Sequence, residues 1–152
     1  MIATRHSFPD LPPIWGLGIL LAAIAIGRLV WPGPFTSPIY AYLGILLALV
    51  GFALIIWAAF WFRRKRTPIL PGDMPKTLIV EGPFRLNRNP IYTAMTLIVI
   101  GGTFIWGGPA GLIVAAIYPV LITRRFILAE EAGLRAAFGN EADSYIARTR
   151  RW

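Results

Sequence analysis

Four long apolar runs dominate the chain: Ile14–Trp31, Ile39–Phe62, Ile91–Gly108 and Ala110 to about Leu128. A helix rises about 1.5 Å per residue, so a run of about 18 residues covers about 27 Å, close to the roughly 30 Å hydrocarbon core of a bilayer. The second run is longer and predicts tilt or protrusion. The fourth is strictly apolar only over Ala110–Ile122, and Arg124 and Arg125 at its end have to snorkel to the headgroups. The pattern predicts an all-α, multi-pass membrane bundle of about four transmembrane helices, with a cytoplasmic loop and C-terminal amphipathic helices. It reads as a single integral membrane domain over 1–152, divided into an N-terminal helix hairpin (1–62) and a second half (63–152).

The polar positions set the orientation. Arg63, Arg64, Lys65, Arg66, Lys76, Arg85 and Arg88 lie between runs two and three, and Arg124, Arg125, Arg135, Arg148, Arg150 and Arg151 follow run four. The loop Pro32–Pro38 and the turn Gly107–Pro109 carry no charge. Basic residues favour the cytoplasmic side, so both termini and the loop 63–89 are expected there. Trp15, Trp31, Trp57, Trp61 and Trp106 sit near run ends, the headgroup level that amphipathic rings prefer. Arg28 is expected to snorkel outward. The first run, though its flanks loosely resemble a signal peptide, is read as retained.

Composition agrees with this picture. The 152 residues are 57% hydrophobic and only 14% charged, against roughly 25% charged in soluble domains; the mean hydropathy is +0.64. Disorder and a water-soluble monomer are both excluded on that basis. The net charge of +8 is accounted for by the membrane-flanking clusters, so no nucleic-acid partner is expected. There is no cysteine and one histidine, His6. That excludes disulfides, thiolate zinc sites, a cysteine nucleophile, a Ser-His-Asp triad and an HExxH metal site, and no metal is expected.

Two segments exceed the needs of a membrane anchor. The loop 63–89 is longer than ordinary connectors and is punctuated by Thr67-Pro68, Pro71-Gly72-Asp73, Pro75 and Gly82-Pro83. Its short β-prone run Lys76–Val80 predicts packing against the helices. It leads into Arg88-Asn89-Pro90-Ile91-Tyr92, where Pro90 suits the first helical turn and Asn89 the N-cap. Such a helix start favours an anion, with Arg85 and Arg88 adding positive charge; a simple capped membrane helix explains the same residues. The second segment is Glu130-Glu131. Neighbours on a helix point about 100° apart, so at most one carboxylate faces a given site, and a salt bridge to Arg124 or Arg125 is the plainer alternative. Beyond it, Leu134, Phe138, Ala142 and Tyr145 mark an amphipathic face, broken at Gly139-Asn140, which is expected to fold back near the long loop. Gly101-Gly102 and Pro119 fit close helix packing, although a kink at Pro119 can also open a cavity.

In order and spacing these blocks resemble the isoprenylcysteine carboxyl methyltransferase and phospholipid methyltransferase superfamily, small membrane enzymes that use S-adenosylmethionine. The matches are Thr77–Val80, Gly82-Pro83-Phe84, Arg88-Asn89-Pro90-Ile91-Tyr92, Glu130-Glu131, Leu134, Phe138-Gly139 and Tyr145. The resemblance spans Lys76–Trp152 and marks the second half as the cofactor-binding half. It implies cofactor contacts at Lys76, Thr77, Leu78, Ile79, Phe84, Asn89, Pro90, Ile91, Tyr92 and Glu130, with Glu131 as the adjacent alternative. Two positions depart from the carboxyl methyltransferase branch: Asn89 stands where that branch has histidine, and Phe126 where it has a substrate-orienting arginine, with Arg125 next to it.

The resemblance implies methyl transfer from S-adenosylmethionine, leaving S-adenosylhomocysteine, to a lipid or hydrophobic small molecule whose acceptor atom (amine, carboxylate or thiol) stays open. A methionine carboxylate can dock at Asn89-Pro90 with help from Arg88, and Tyr92 can offer its hydroxyl or ring face to the sulfonium. Arg125 and Tyr92 are the expected catalytic residues. The acceptor is expected to enter laterally between runs three and four at Gly101-Gly102. A membrane reductase using NADPH on a sterol-like substrate and a non-catalytic membrane scaffold are the alternatives.

Overall fold

A computed structural model describes residues 10–30, 37–68 and 76–152. His6, Trp31, most of the uncharged loop 32–38, Pro71-Gly72-Asp73 and Pro75 lie outside the described residues. The order is α1 (Pro12–Val30), α2 (Pro38–Arg64), a 3₁₀ turn (Gly82–Arg85), α3 (Pro90–Trp106), α4 (Gly108–Ala115), α5 (Ile117–Ile122), a π-helical turn (Thr123–Ile127), α6 (Leu128–Phe138) and α7 (Asn140–Arg148). The fold is all-α, and no strand forms among the described residues. Pro12–Val30, Pro38–Arg64 and the continuous run Gly108–Phe138 are long and apolar enough to cross a membrane, and α3 is an apolar helix of 17 residues.

Small residues bring the helices together. Buried Gly44, Gly51 and Ala58 recur every seven residues along α2. Gly44 faces Gly101 of α3, and Gly51 faces Ala94. A Cβ at Gly44 would lie 2.5 Å from the Gly101 carbonyl oxygen, so the two backbones nearly touch, as small-residue stripes allow in membrane helices. Gly102 meets Leu20 of α1 instead. The Gly101-Gly102 pair is therefore filled on both sides by α2 and α1, which corrects the expectation of an acceptor portal there. α1 packs chiefly on α4 and α3, and α2 on α3. At the end of α1, Arg28 Nε donates to the Trp106 carbonyl at 2.8 Å, so this arginine ties α1 to the close of α3.

The fourth apolar run is a segmented helix. Pro119 cannot donate to the carbonyl of Ala115 four residues back, and α4 ends at Ala115. One turn later the chain widens into the π-helical turn, a device that inserts an extra residue and is common at functional sites. Its Phe126 and Ile127 are fully buried with Ile122, Tyr118 and Tyr92 in the core.

A second core joins the loop, α2 and the tail. Leu78 and Ile79 pack with Ala58, Phe84 and Tyr145, so the Lys76–Val80 run does fold against the helices, in irregular rather than strand form. Gly82, at φ +59°, lets the chain turn beneath Trp61, whose ring leaves no room for a Cβ at that position. At the tail, Gly139 takes φ +51° between α6 and α7. That left-handed break lets α7 fold back, as its glycine predicts.

Candidate active site

The entrance of α3 and the start of α6 share one cavity of about 200 Å³. Leu11, Pro12 and Pro13 form one wall, at the beginning of α1. Phe62 and Phe84 close a second, and Arg88, Asn89, Pro90, Ile91, Tyr92, Met95 and Glu130 complete it. Most of these side chains are apolar, and the polar ones gather at the α3 entrance, an arrangement typical of small-molecule sites.

Tyr92, the third residue of α3, donates its hydroxyl to Glu130 Oε1 at 2.5 Å. Its ring is tilted against Phe126 at a centroid distance of 6.5 Å. The two adjacent glutamates divide as helical geometry requires. Glu130 faces the cavity and Tyr92, whereas Glu131 turns into a buried clamp. Glu131 accepts from Arg88 Nη2 at 3.0 Å and from Arg151 Nε and Nη2 at 2.8 Å each. Its salt bridges thus run to Arg88 and Arg151, not to Arg124 or Arg125. Its side chain is only 5% exposed, and a buried carboxylate needs such partners.

The clamp holds the C-terminal segment across the start of α3. Arg88 Nη1 donates to the carbonyls of Ile146 and Thr149, both at 2.5 Å. The Arg88 backbone N–H donates to the Arg150 carbonyl at 2.8 Å, and Asn89 Nδ2 to the Arg151 carbonyl at 3.0 Å. Asn89 does occupy the N-cap position, but its side chain makes no capping bond; its amide nitrogen donates to the tail. Arg88 likewise braces the tail instead of standing open, although its Nε is buried with no hydrogen-bond partner. Tyr145 donates to the Phe84 carbonyl at 2.8 Å, and burial pushes its phenol above the usual range, so it remains a donor.

The expected site residues separate into two groups. Phe84, Arg88, Asn89, Pro90, Ile91, Tyr92 and Glu130 come together at the cavity. Lys76 and Thr77 are exposed, and Leu78 and Ile79 support the cavity from behind through Phe84. Glu131 belongs to the clamp. Arg125 is outside the lining: its Nε donates to Asp10 Oδ1 at 2.6 Å, and its guanidinium lies 5.2 Å from the Trp15 ring centroid. Phe126, its neighbour, takes the inward-facing position. Nearby, the Lys65 ammonium hydrogen-bonds Glu81 at 2.5 Å and holds that carboxyl below its ordinary range. Among the described residues no group of three His, Asp or Glu side chains is placed to hold a metal ion.

The wall Leu11–Pro13 has no counterpart in the sequence pattern; the fold-back of the tail does, but the contacts that hold it do not. Leucine and proline give no chemical signal, and the tail is held partly through main-chain carbonyls, which carry no residue signature.

Among known proteins, the family described as phospholipid methyltransferase matches residues 39–141. The cobalt-zinc-cadmium resistance protein CzcN of Cupriavidus metallidurans is 30% identical over 151 residues, covering 96% of this chain and 62% of that protein. The chain thus spans somewhat less than two thirds of the curated relative it matches. No solved structure matches.

Proposed function

Because the chain belongs to the phospholipid methyltransferase family, we propose that it is a membrane-embedded methyltransferase using S-adenosylmethionine, with a lipid or hydrophobic small molecule as acceptor. The observation that supports this reading best is the meeting of Tyr92 and Glu130 at 2.5 Å beside the start of α3, where a helix entrance and a carboxylate share one small cavity. The cavity and both termini belong to the cytoplasmic side in this reading, as the basic clusters favour.

The side chains suit such a cofactor. The buried, unpartnered Arg88 Nε and the first-turn N–H groups of α3, which have no intrahelical acceptors, would take its carboxylate. Glu130 would take its ammonium or the ribose hydroxyls. When bound, the cofactor supplies a methyl group on a sulfonium, an electrophile already activated for transfer. Tyr92 offers a ring face to positive charge, and its hydroxyl orients Glu130. Phe62, Phe84 and Met95 exclude water from the reaction path. Holding an acceptor in line at contact distance can remove several kcal/mol from the barrier. The low polarity of the walls disfavours a protonated amine, so an amine acceptor would arrive with its lone pair available. At about 200 Å³ the cavity is smaller than the roughly 300–1,000 Å³ usual for small-molecule sites, so binding requires a wall to yield.

Calorimetric titration of the detergent-purified protein with S-adenosylhomocysteine and, separately, with NADPH tests the reading. Saturable binding of the first alone supports a methyltransferase. Binding of NADPH alone, or of neither, overturns it.

A further inference from the structure

The cavity has two sides of different provenance. Phe84, Asn89, Tyr92 and Glu130 fall within the family-matched segment 39–141, whereas Leu11–Pro13 fall outside it. Those three side chains offer no hydrogen-bond donor or acceptor. Resting on the methyltransferase reading, we propose that Leu11–Pro13 is the acceptor-selecting wall of the site, and that Arg125 is a positioning residue that sets this wall through Asp10.

The wall is held from two directions. Tyr118 donates its hydroxyl to the Pro12 carbonyl at 3.1 Å from the bundle core. At the rim, Asp10 accepts from Trp15 Nε1 at 3.0 Å and from Arg125 Nε at 2.6 Å. The inner tie is fully buried at Tyr118. The outer one is solvent-accessible, with the Arg125 side chain 48% exposed, and exposed ion pairs hold weakly. The rim around Leu11 is therefore the part of the cavity that yields, while the opposite side is fixed by the Glu131 clamp. A polar or charged group against Leu11–Pro13 would lose its hydration without compensation. The wall thus admits an apolar portion of the acceptor and limits its bulk. This also gives Arg125 a role consistent with its position outside the lining.

The absence of cysteine makes the test direct. A single thiol is introduced as Ile91→Cys in the α3 lining of the cavity, with Met95→Cys, whose native sulfur lies 3.4 Å from the Tyr118 hydroxyl, as a second site should the first variant fail to fold. Its labelling by N-ethylmaleimide is compared with labelling by the bulkier fluorescein maleimide. Leu11→Ala is expected to raise the bulky-to-small rate ratio at least fivefold. Asp10→Asn and Arg125→Ala shift it the same way, and Arg125→Lys, which keeps the charge, recovers part of the original ratio. A merely structural role would lower stability without changing this size ratio. An unchanged ratio in Leu11→Ala and Asp10→Asn, or a thiol that neither reagent reaches in any variant, overturns the proposal. Titration with S-adenosylhomocysteine keeps the two readings apart. Normal binding with an unchanged ratio removes the wall and leaves the methyltransferase. A shifted ratio without that binding leaves a selecting wall on a protein of another activity.

Discussion

Tyr92 and Glu130, 38 positions apart in the chain, are joined by a 2.5 Å hydrogen bond across the mouth of α3. Glu130 is thereby fixed in orientation within a largely apolar cavity. Glu130→Ala is expected to weaken S-adenosylhomocysteine at least tenfold, equivalent to about 1.4 kcal/mol. Tyr92→Phe, which keeps the ring and loses only the orienting hydroxyl, should produce a smaller loss. Calorimetry on both variants checks this. Unchanged affinity in a folded Glu130→Ala protein removes that residue from the site.

The neighbouring carboxylate should behave differently. Glu131→Gln leaves Arg88 buried with a broken ion pair, a defect worth about 3–5 kcal/mol in a dry setting. Arg151 reaches solvent at 36% side-chain exposure, so the lower end, about 3 kcal/mol, is expected. Thermal unfolding in detergent should show a clear fall in Tm for Glu131→Gln and a small one for Glu130→Gln. Equal shifts in the two variants would remove the division of labour between them.

Close contact of α2 with α3 makes a third prediction. A methyl group at Gly44 would meet the Gly101 carbonyl oxygen at 2.5 Å, whereas one at Gly18 meets nothing within 4 Å. Gly44→Ala should cost about 1–3 kcal/mol through forced separation of the helices. Gly18→Ala should be neutral or slightly stabilising because alanine is the better helix former. Limited proteolysis or thermal scans of the two variants decide it, and comparable stability would refute the tight α2–α3 approach.

Acidification should act through Glu81. Its hydrogen bond to Lys65, the largest cause, holds its folded value below the ordinary carboxylate range. A carboxyl with a depressed folded value contributes stability that is present above the unfolded value and lost as pH falls through the folded one. Both side chains are partly exposed, at 28% and 37%, so the contribution is modest and weakens with salt. The drop in Tm between pH 7 and pH 3 should be smaller in Glu81→Gln than in the unsubstituted protein. An identical drop would exclude this pair as a source of acid sensitivity.

Much of the architecture is legible from apolar run length, because a bilayer imposes a fixed helix length and removes most alternatives. The opposed glutamates follow from helical angles alone, and the Gly139 break from backbone sterics. Other features depend on which partner fills a face, and one chain does not state that. Gly101-Gly102 fits a packing seam but also a portal until Gly44 and Leu20 are seen against it. Asn89 has the residue type of a cap, yet its side chain makes no capping bond and gives its amide N–H to the tail. Arg125 is one position from the inward-facing residue, a distinction that rests on the local winding of the helix.

That winding has a consequence for how this chain tolerates length changes. The π-helical turn at Thr123–Ile127 stores one surplus residue. A single deletion there can be absorbed by reverting to ordinary α-helical pitch, leaving the downstream register intact. The same deletion placed at Leu128 or Ala129, in ordinary helix, would swing the register by about 100° and bring the carboxylate that now grips the tail round toward the tyrosine. The surplus residue is slack for a single loss: removing it spares the partition between the two glutamates, whereas an inserted residue finds no slack to take up.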